Sequence, residues 1–226
     1  MRVDGSGAAP GAAGVHRASA PSAVDPAVAA ATARTWAALA DAARGCTVCA
    51  ELAASRTRVV PGARPEGAEL LLVGEAPGAE EDLAGVPFVG RSGRLLDSLL
   101  AEAGLSRERV AVTNVLKCRP PGNRPPRRRE VEACRPWLRR QVELADPRLV
   151  VTLGGSALAW ALGPGARIGA VRGRPLEWEG RRLLATYHPS AAIRFGPRGA
   201  PLAALREDLR TAAALLGEGE EGRAVP

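Results

Sequence analysis

Leu70-Leu71-Leu72-Val73-Gly74-Glu75-Ala76-Pro77-Gly78 is the stretch on which the fold turns. Four consecutive large apolar residues leave no solvated face, so they read as a strand buried on both sides, and Gly74 to Gly78 reads as the loop that ends it. Val110-Ala111-Val112-Thr113, Leu149-Val150-Val151-Thr152-Leu153 and Leu183-Leu184-Ala185-Thr186 have the same character. Helical patterns lie between them: leucines at 95, 96, 99 and 100 within Gly93 to Ala103, a stripe of Val131, Trp137, Leu138 and Val142 within Glu130 to Leu144, and the short apolar Ser156 to Leu162. The alternation is that of βαβ units, so the expected class is α/β, a three-layer αβα domain around a four-stranded parallel sheet. One helix from about Pro26 to Arg44 precedes the sheet and another from Leu202 to Leu216 closes it.

In an open sheet of this kind the loops at the carboxyl ends of the strands converge on one crevice. Four short motifs fall at or near strand ends: Gly74 to Gly78, Pro87-Phe88-Val89-Gly90, Asn114-Val115-Leu116-Lys117-Cys118 and His188-Pro189-Ser190. They can therefore build a single site.

The 226 residues, 46% of them hydrophobic, suffice for one domain, expected over 26–216. Residues 1–25, rich in glycine, alanine and proline, and 217–226 are expected to be disordered tails. No apolar h-region follows Arg2 and no run is long enough to span a membrane, so the expected location is cytoplasmic. The formal charge of +7 is concentrated. Between Lys117 and Arg140, nine basic residues against Glu130 and Glu132 give nine minus two, the whole excess. Such a patch fits a phosphate backbone, and it also fits a solvated helix face in an arginine-rich chain whose single lysine is Lys117.

The first loop matches neither the dinucleotide fingerprint G-x-G-x-x-G nor the P-loop G-x-x-x-x-G-K-[ST]. It offers a carboxylate instead, Glu75, with Glu81 and Asp82 shortly after. Cys46-x-x-Cys49 with Cys118 and Cys134 makes a four-thiolate set that suits a structural zinc or an iron–sulfur cluster, spacing alone leaning towards zinc.

Together these stretches, with Glu81-Asp82, Gly85, Arg91, Arg119-Pro120-Pro121, Asn123-Arg124 and Tyr187, resemble the family 4 uracil-DNA glycosylases over roughly Cys46 to Leu209. The resemblance implies a four-stranded parallel sheet flanked by helices, a [4Fe-4S] cluster on Cys46, Cys49, Cys118 and Cys134, and removal of uracil from single- and double-stranded DNA. The implied enzyme is monofunctional and begins base excision repair; a cytoplasmic monomer acting at the nucleoid, without a membrane, is expected because no apolar face is left over once the sheet and helices are packed.

Uracil removal needs a flipped nucleotide, a stacked base, a read edge and stabilisation of the charge left on the departing base. Phe88 is the candidate stacking ring. The Asn114 amide can accept from uracil N3–H and donate to O4, a pattern that cytosine inverts. His188 can donate to O2, since His16 lies in the tail. Gly74 and Ala76 complete the first loop, Glu81 is expected beside C5, and Asp82 near the base. Glu75 is the expected water-activating carboxylate, with Glu81 and Asp82 in reserve; the related family 1 enzymes carry an aspartate in this loop, and here Ala76 follows Glu75. Arg91, Arg119, Arg124, Ser190, Ile193 and Arg194 are the expected DNA contacts, with Ile193 or a neighbour as minor-groove wedge. Ala191-Ala192 replaces the family's usual bulkier pair. A noncatalytic DNA-binding module and a plain zinc protein remain as alternatives, whereas a covalent uracil-trapping relative lacks support because no basic insertion precedes His188.

Overall fold

The computed structural model describes residues 24–221. The sheet has five strands, β1 (Leu70–Gly74), β2 (Val110–Asn114), β3 (Leu149–Leu153), β4 (Leu176–Trp178) and β5 (Arg181–Thr186), in the order β2-β1-β3-β5-β4. β1 pairs in parallel with β2 and β3, and β3 with β5, so the four expected strands are the four parallel ones. The expected count of four is corrected by β4, an antiparallel edge strand on β5. Three residues are too few to show a period-2 pattern. The strand exists because Glu179 and Gly180 take positive φ angles of 46° and 76°, the geometry of a two-residue hairpin turn.

Among the described residues ten α-helices surround the sheet: α1 (Pro26–Thr32), α2 (Trp36–Arg44), α3 (Ala50–Ser55), α4 (Ala79–Ala84), α5 (Arg91–Glu102), α6 (Arg128–Ala145), α7 (Gly155–Leu162), α8 (Ile168–Val171), α9 (Pro189–Phe195) and α10 (Ala200–Glu221). The expected single helix from Pro26 to Arg44 is two helices. Thr35 breaks it by accepting the Ala38 N–H at 3.1 Å as the N-cap of α2, and Arg140 binds the freed Ala33 carbonyl at 2.8 Å. The closing helix runs on to Glu221 instead of ending at Leu216. Positions 1–23 and 222–226 of the expected tails lie outside the described residues, and Val24 and Asp25 lead into α1.

Alternate residues of each strand point to opposite faces, which is why unbroken apolar runs serve a three-layer fold. Leu70 and Leu72 pack with Leu96, Leu99 and Leu100 of α5 and Leu205 and Leu209 of α10. On the other face Leu71 and Val73 meet Leu138 and Val142 of α6 and Ala157 and Trp160 of α7. Each such fully buried leucine contributes roughly 1.5–3 kcal/mol of apolar transfer free energy. Behind α6, Trp137 anchors α1 and α2 through Ala30, Ala33 and Leu39. The chain leaves β1 towards β2 on one side and returns to β3 on the other, so a crevice opens beyond the carboxyl ends of β1 and β3. Among the described residues no helix is long and apolar enough to cross a membrane.

Candidate active site

Glu75 to Gly78 follow β1, Asn114 ends β2, Gly154 to Ser156 follow β3 and His188 follows β5. They meet around a cavity of about 280 Å³ whose lining includes Glu75, Ala76, Glu81, Phe88, Asn114, Arg124, His188 and Ser190. Gly74 makes the convergence possible. A Cβ there would stand 2.4 Å from Asn114 Oδ1 and 2.6 Å from Phe88 Cζ, so any side chain would separate the amide from the ring. Phe88 itself has φ +56°, a left-handed conformation costly for a bulky residue, and Gly93 lies so close beneath that a Cβ would fall 1.7 Å from the Phe88 carbonyl oxygen. The ring is held 5.8 Å from that of His188.

Asn114 is 2% exposed, and its Oδ1 has no hydrogen-bond partner among the described residues. A buried acceptor left empty costs roughly 1–3 kcal/mol, so its presence in a ligand-sized cavity marks a place for a donor. The backbone around it is fixed: Val115 N–H donates to Gly74 O at 2.9 Å, Leu116 N–H to Glu75 O at 3.0 Å, and Lys117 Nζ to Asn114 O at 2.5 Å.

His188 is the N-cap of α9. Its Nδ1 accepts the Ser190 N–H at 3.1 Å and lies 2.8 Å from Ser190 Oγ. A nitrogen that accepts a backbone N–H carries no proton, which leaves the proton of the neutral ring on Nε2. Burial pushes the pKa down to about 4, so the ring is neutral at pH 7 and Nε2–H is a neutral donor.

The three carboxylates part company. Glu75 receives Ser156 Oγ–H at 2.5 Å on Oε2. Glu81 spends both oxygens on backbone, accepting Gly78 N–H at 3.1 Å and Gly90 N–H at 2.8 Å, and so staples the first loop to the Phe88 loop. Asp82 faces away from the cavity and accepts Thr57 N–H at 2.9 Å and Arg58 N–H at 3.3 Å, which corrects its expected place near the base. Asp82 is therefore away from the cavity, while Glu81 lines it with each oxygen already accepting one backbone N–H.

The expected DNA contacts are similarly divided. Arg124 is bound by Glu130 through two hydrogen bonds of 2.9 and 2.6 Å and by Glu51 at 3.2 Å; its hydrogen bonds to Glu130 lead in raising its pKa. This guanidinium braces the loop and is not a spare charge. Arg119 donates to Asn123 Oδ1 at 2.8 Å, while Arg91 and Arg194 are exposed and Ile193 is half-buried. Arg127 pairs with Glu51, Arg128 with Glu132 and Arg139 with Glu179, so the basic stretch is less bare than its sequence count. Exposed pairs of this kind add little to stability and leave the arginines open to phosphates. Phe195, 62% exposed under the Arg194 guanidinium at 5.4 Å, is an apolar group at the end of α9 that the sequence motifs did not mark.

A second, smaller cavity of about 20 Å³ lies behind Asn114 and is lined by all four cysteines with Leu52, Arg56, Val59, Leu116, Lys117, Ala133 and Trp137. Among the described residues no three His, Cys, Asp or Glu side chains are drawn tightly enough to hold a metal ion as they stand. The surroundings nevertheless suit an anionic centre. Two cations and no carboxylate line the cavity, Arg56 Nη1 approaches Cys118 Sγ at 3.4 Å, and the buried Trp137 Nε1 has no acceptor among the described residues. Burial pushes the Cys134 thiol up to about 11 against the opposing pull of Lys117, and Cys118 rises to about 12 mainly by burial.

The residues from 61 to 210 match the family model of the uracil DNA glycosylase superfamily, and the chain belongs to that superfamily. It is 45% identical over 151 residues to a type-4 uracil-DNA glycosylase of Thermotoga maritima, covering 66% of this chain and 78% of that one. Identity to the type-4 uracil-DNA glycosylase of Archaeoglobus fulgidus is 42% over 181 residues, covering 76% and 87%. A type-5 uracil-DNA glycosylase of Mycobacterium leprae matches at 35% over 185 residues, 71% and 79% of the two chains. The greater identity places the chain with the type-4 branch.

Proposed function

We propose that the chain is a monofunctional uracil-DNA glycosylase that hydrolyses the N-glycosidic bond of deoxyuridine in single- and double-stranded DNA. It releases uracil, leaves an abasic site and so begins base excision repair. The observation that carries this reading is Oδ1 of Asn114, which lines the cavity with no hydrogen-bond partner among the described residues, an acceptor waiting for an N–H such as N3–H of uracil.

With the base flipped into the cavity, the Phe88 ring stacks on it and Asn114 accepts from N3–H and donates to O4. As the C1′–N1 bond breaks, its electron pair moves onto the base, and His188 Nε2–H donates to the oxygen that gathers the charge. A neutral donor is sufficient, because it needs only to lie where charge develops. The electropositive C1′ takes water, which loses a proton. Glu75, aimed by Ser156, is the carboxylate placed to orient that water or to stabilise the sugar cation, since Glu81 and Asp82 are engaged with backbone. By stapling its two loops Glu81 also sets the wall beside C5, where a thymine methyl would have to fit.

Arg91, Arg119 and Arg194 are the proposed phosphate contacts, and Phe195 takes the apolar wedge role expected of Ile193. Cys46, Cys49, Cys118 and Cys134 are the proposed ligands of a [4Fe-4S] cluster, supported by their shared cavity and by the type-4 likeness. When bound, the cluster supplies a rigid anionic anchor for the loop after β2. We place the enzyme in the cytoplasm at the nucleoid, as a monomer.

The test is single-turnover treatment of uracil-containing single- and double-stranded oligonucleotides, with cytosine and thymine oligonucleotides as controls. Alkaline scission in the uracil samples alone is expected. Tight DNA binding with no scission would move the chain to the class of noncatalytic DNA-binding modules.

A further inference from the structure

Lys117 is the single lysine of the chain, and it is 2% exposed. Its Nζ donates to Thr113 Oγ1 at 2.8 Å and to the Asn114 carbonyl at 2.5 Å, both neutral acceptors. Thr113 Oγ1 is itself fixed by Gln141 Oε1 at 2.9 Å, and Gln141 Nε2 by the Pro61 carbonyl. Among the described residues its hydrogen-bond partners are these two neutral oxygens, so the amine is fixed by geometry against the Asn114 main chain. Lys117 also lines the cysteine cavity, in which no carboxylate takes part. The same residue therefore takes part in both halves of the machinery.

We infer that Lys117 is a positioning residue that couples the cysteine-lined cavity to base reading: an anionic four-thiolate centre holds its ammonium, and the ammonium grips the main-chain carbonyl of Asn114. This inference rests on the proposed reading of Asn114 as the base-reading amide. Residues behind metal ligands commonly change metal affinity by roughly 10–100-fold when replaced, and loss of one charge-assisted hydrogen bond weakens a contact by about tenfold.

The experiment uses the full chain purified without oxygen, as wild type, Lys117→Met and Thr113→Val, each before and after removal of iron by a chelator. Binding of free uracil, iron retention and affinity for uracil-free DNA are measured. The expected result is about tenfold weaker uracil binding in Lys117→Met, a smaller loss in Thr113→Val, faster iron release from Lys117→Met, and unchanged affinity for uracil-free DNA. Stripping iron from the wild type should weaken uracil binding by a similar factor, whereas stripping Lys117→Met should add little, because the coupling is already cut.

Uracil binding by Lys117→Met within twofold of wild type overturns the inference, as do iron and lysine effects that simply add. If Lys117→Met does not fold, Thr113→Val decides: uracil binding and iron retention like wild type overturn it. A wild-type protein with no affinity for uracil would instead sink the proposed function, so the two failures are distinguishable.

Discussion

The base cavity and the cysteine cavity stand on either side of Asn114 to Cys118 and are built on opposite plans. The first is open and keeps hydrogen-bonding capacity unspent: Oδ1 of Asn114 has no partner among the described residues, and Nε2–H of His188 is the donor left after Nδ1 caps α9. The second is far smaller, exposes only apolar surface, and is stocked with thiols and cations that lack a compensating carboxylate. Unspent hydrogen bonds in a roomy cavity indicate a ligand that comes and goes, while unbalanced charge in a tight one indicates a resident group. The division fits the proposed chemistry in the first region and the proposed anchoring in the second.

The largest effect should come from the first region. Asn114→Ala should lower kcat/KM on uracil DNA by about 10³-fold, the upper range for loss of one preorganised polar contact, with affinity for uracil-free DNA unchanged. An equal fall in both would move Asn114 from base reading to structure.

His188→Ala should cost about 10²-fold in single-turnover rate. Because the wild-type ring titrates at about 4, its contribution should be flat from about pH 5.5 to 8; a rate that falls as the pH rises through 6.5 would mean that the imidazolium is the active form. The sign for stability follows from the same shift. The folded pKa is below the unfolded value of about 6.5, so the stability that depends on a neutral ring is present above that pH and is lost as the pH falls from about 6.5 towards 4. His188→Gln should flatten that part of the stability profile.

In the second region Cys118→Ser should abolish iron retention and lower Tm by about 5 °C or more, at 2–4 °C per kcal/mol for a domain of this size. Residual uracil release should exceed that of Asn114→Ala, since the cysteine cavity acts at one remove. The smallest effect is expected at the rim: Phe195→Ala should weaken binding to single-stranded DNA by about fivefold with little change in single-turnover rate at saturation. A change in rate with no change in binding would bring Phe195 into the catalytic step.

Much of this was legible because burial on both faces forces unbroken apolar runs, and Leu70 to Val73, Val110 to Thr113, Leu149 to Leu153 and Leu183 to Thr186 all became parallel strands. Strand ends then fixed where Glu75, Asn114 and His188 would meet. Short elements such as β4, α3, α4 and α9 were not visible, because turn geometry and caps create them and periodicity does not. The fate of individual charges was not visible either. Whether a carboxylate serves a ligand or a backbone amide depends on which loop lies opposite, so Glu75, Glu81 and Asp82 looked alike in the chain and differ in the fold. Arg124 was similarly claimed by Glu130, and the parts played by Ser156 and Lys117 needed contacts across 81 and 3–4 positions of chain respectively.

The most direct measurement of the central claim is a crystal structure of the full chain grown with free uracil. The account predicts uracil stacked on Phe88, with Asn114 Oδ1 within hydrogen-bonding distance of N3 and His188 Nε2 beside O2. Uracil bound elsewhere, or bound in the cavity with Asn114 Oδ1 still unpartnered, would contradict it.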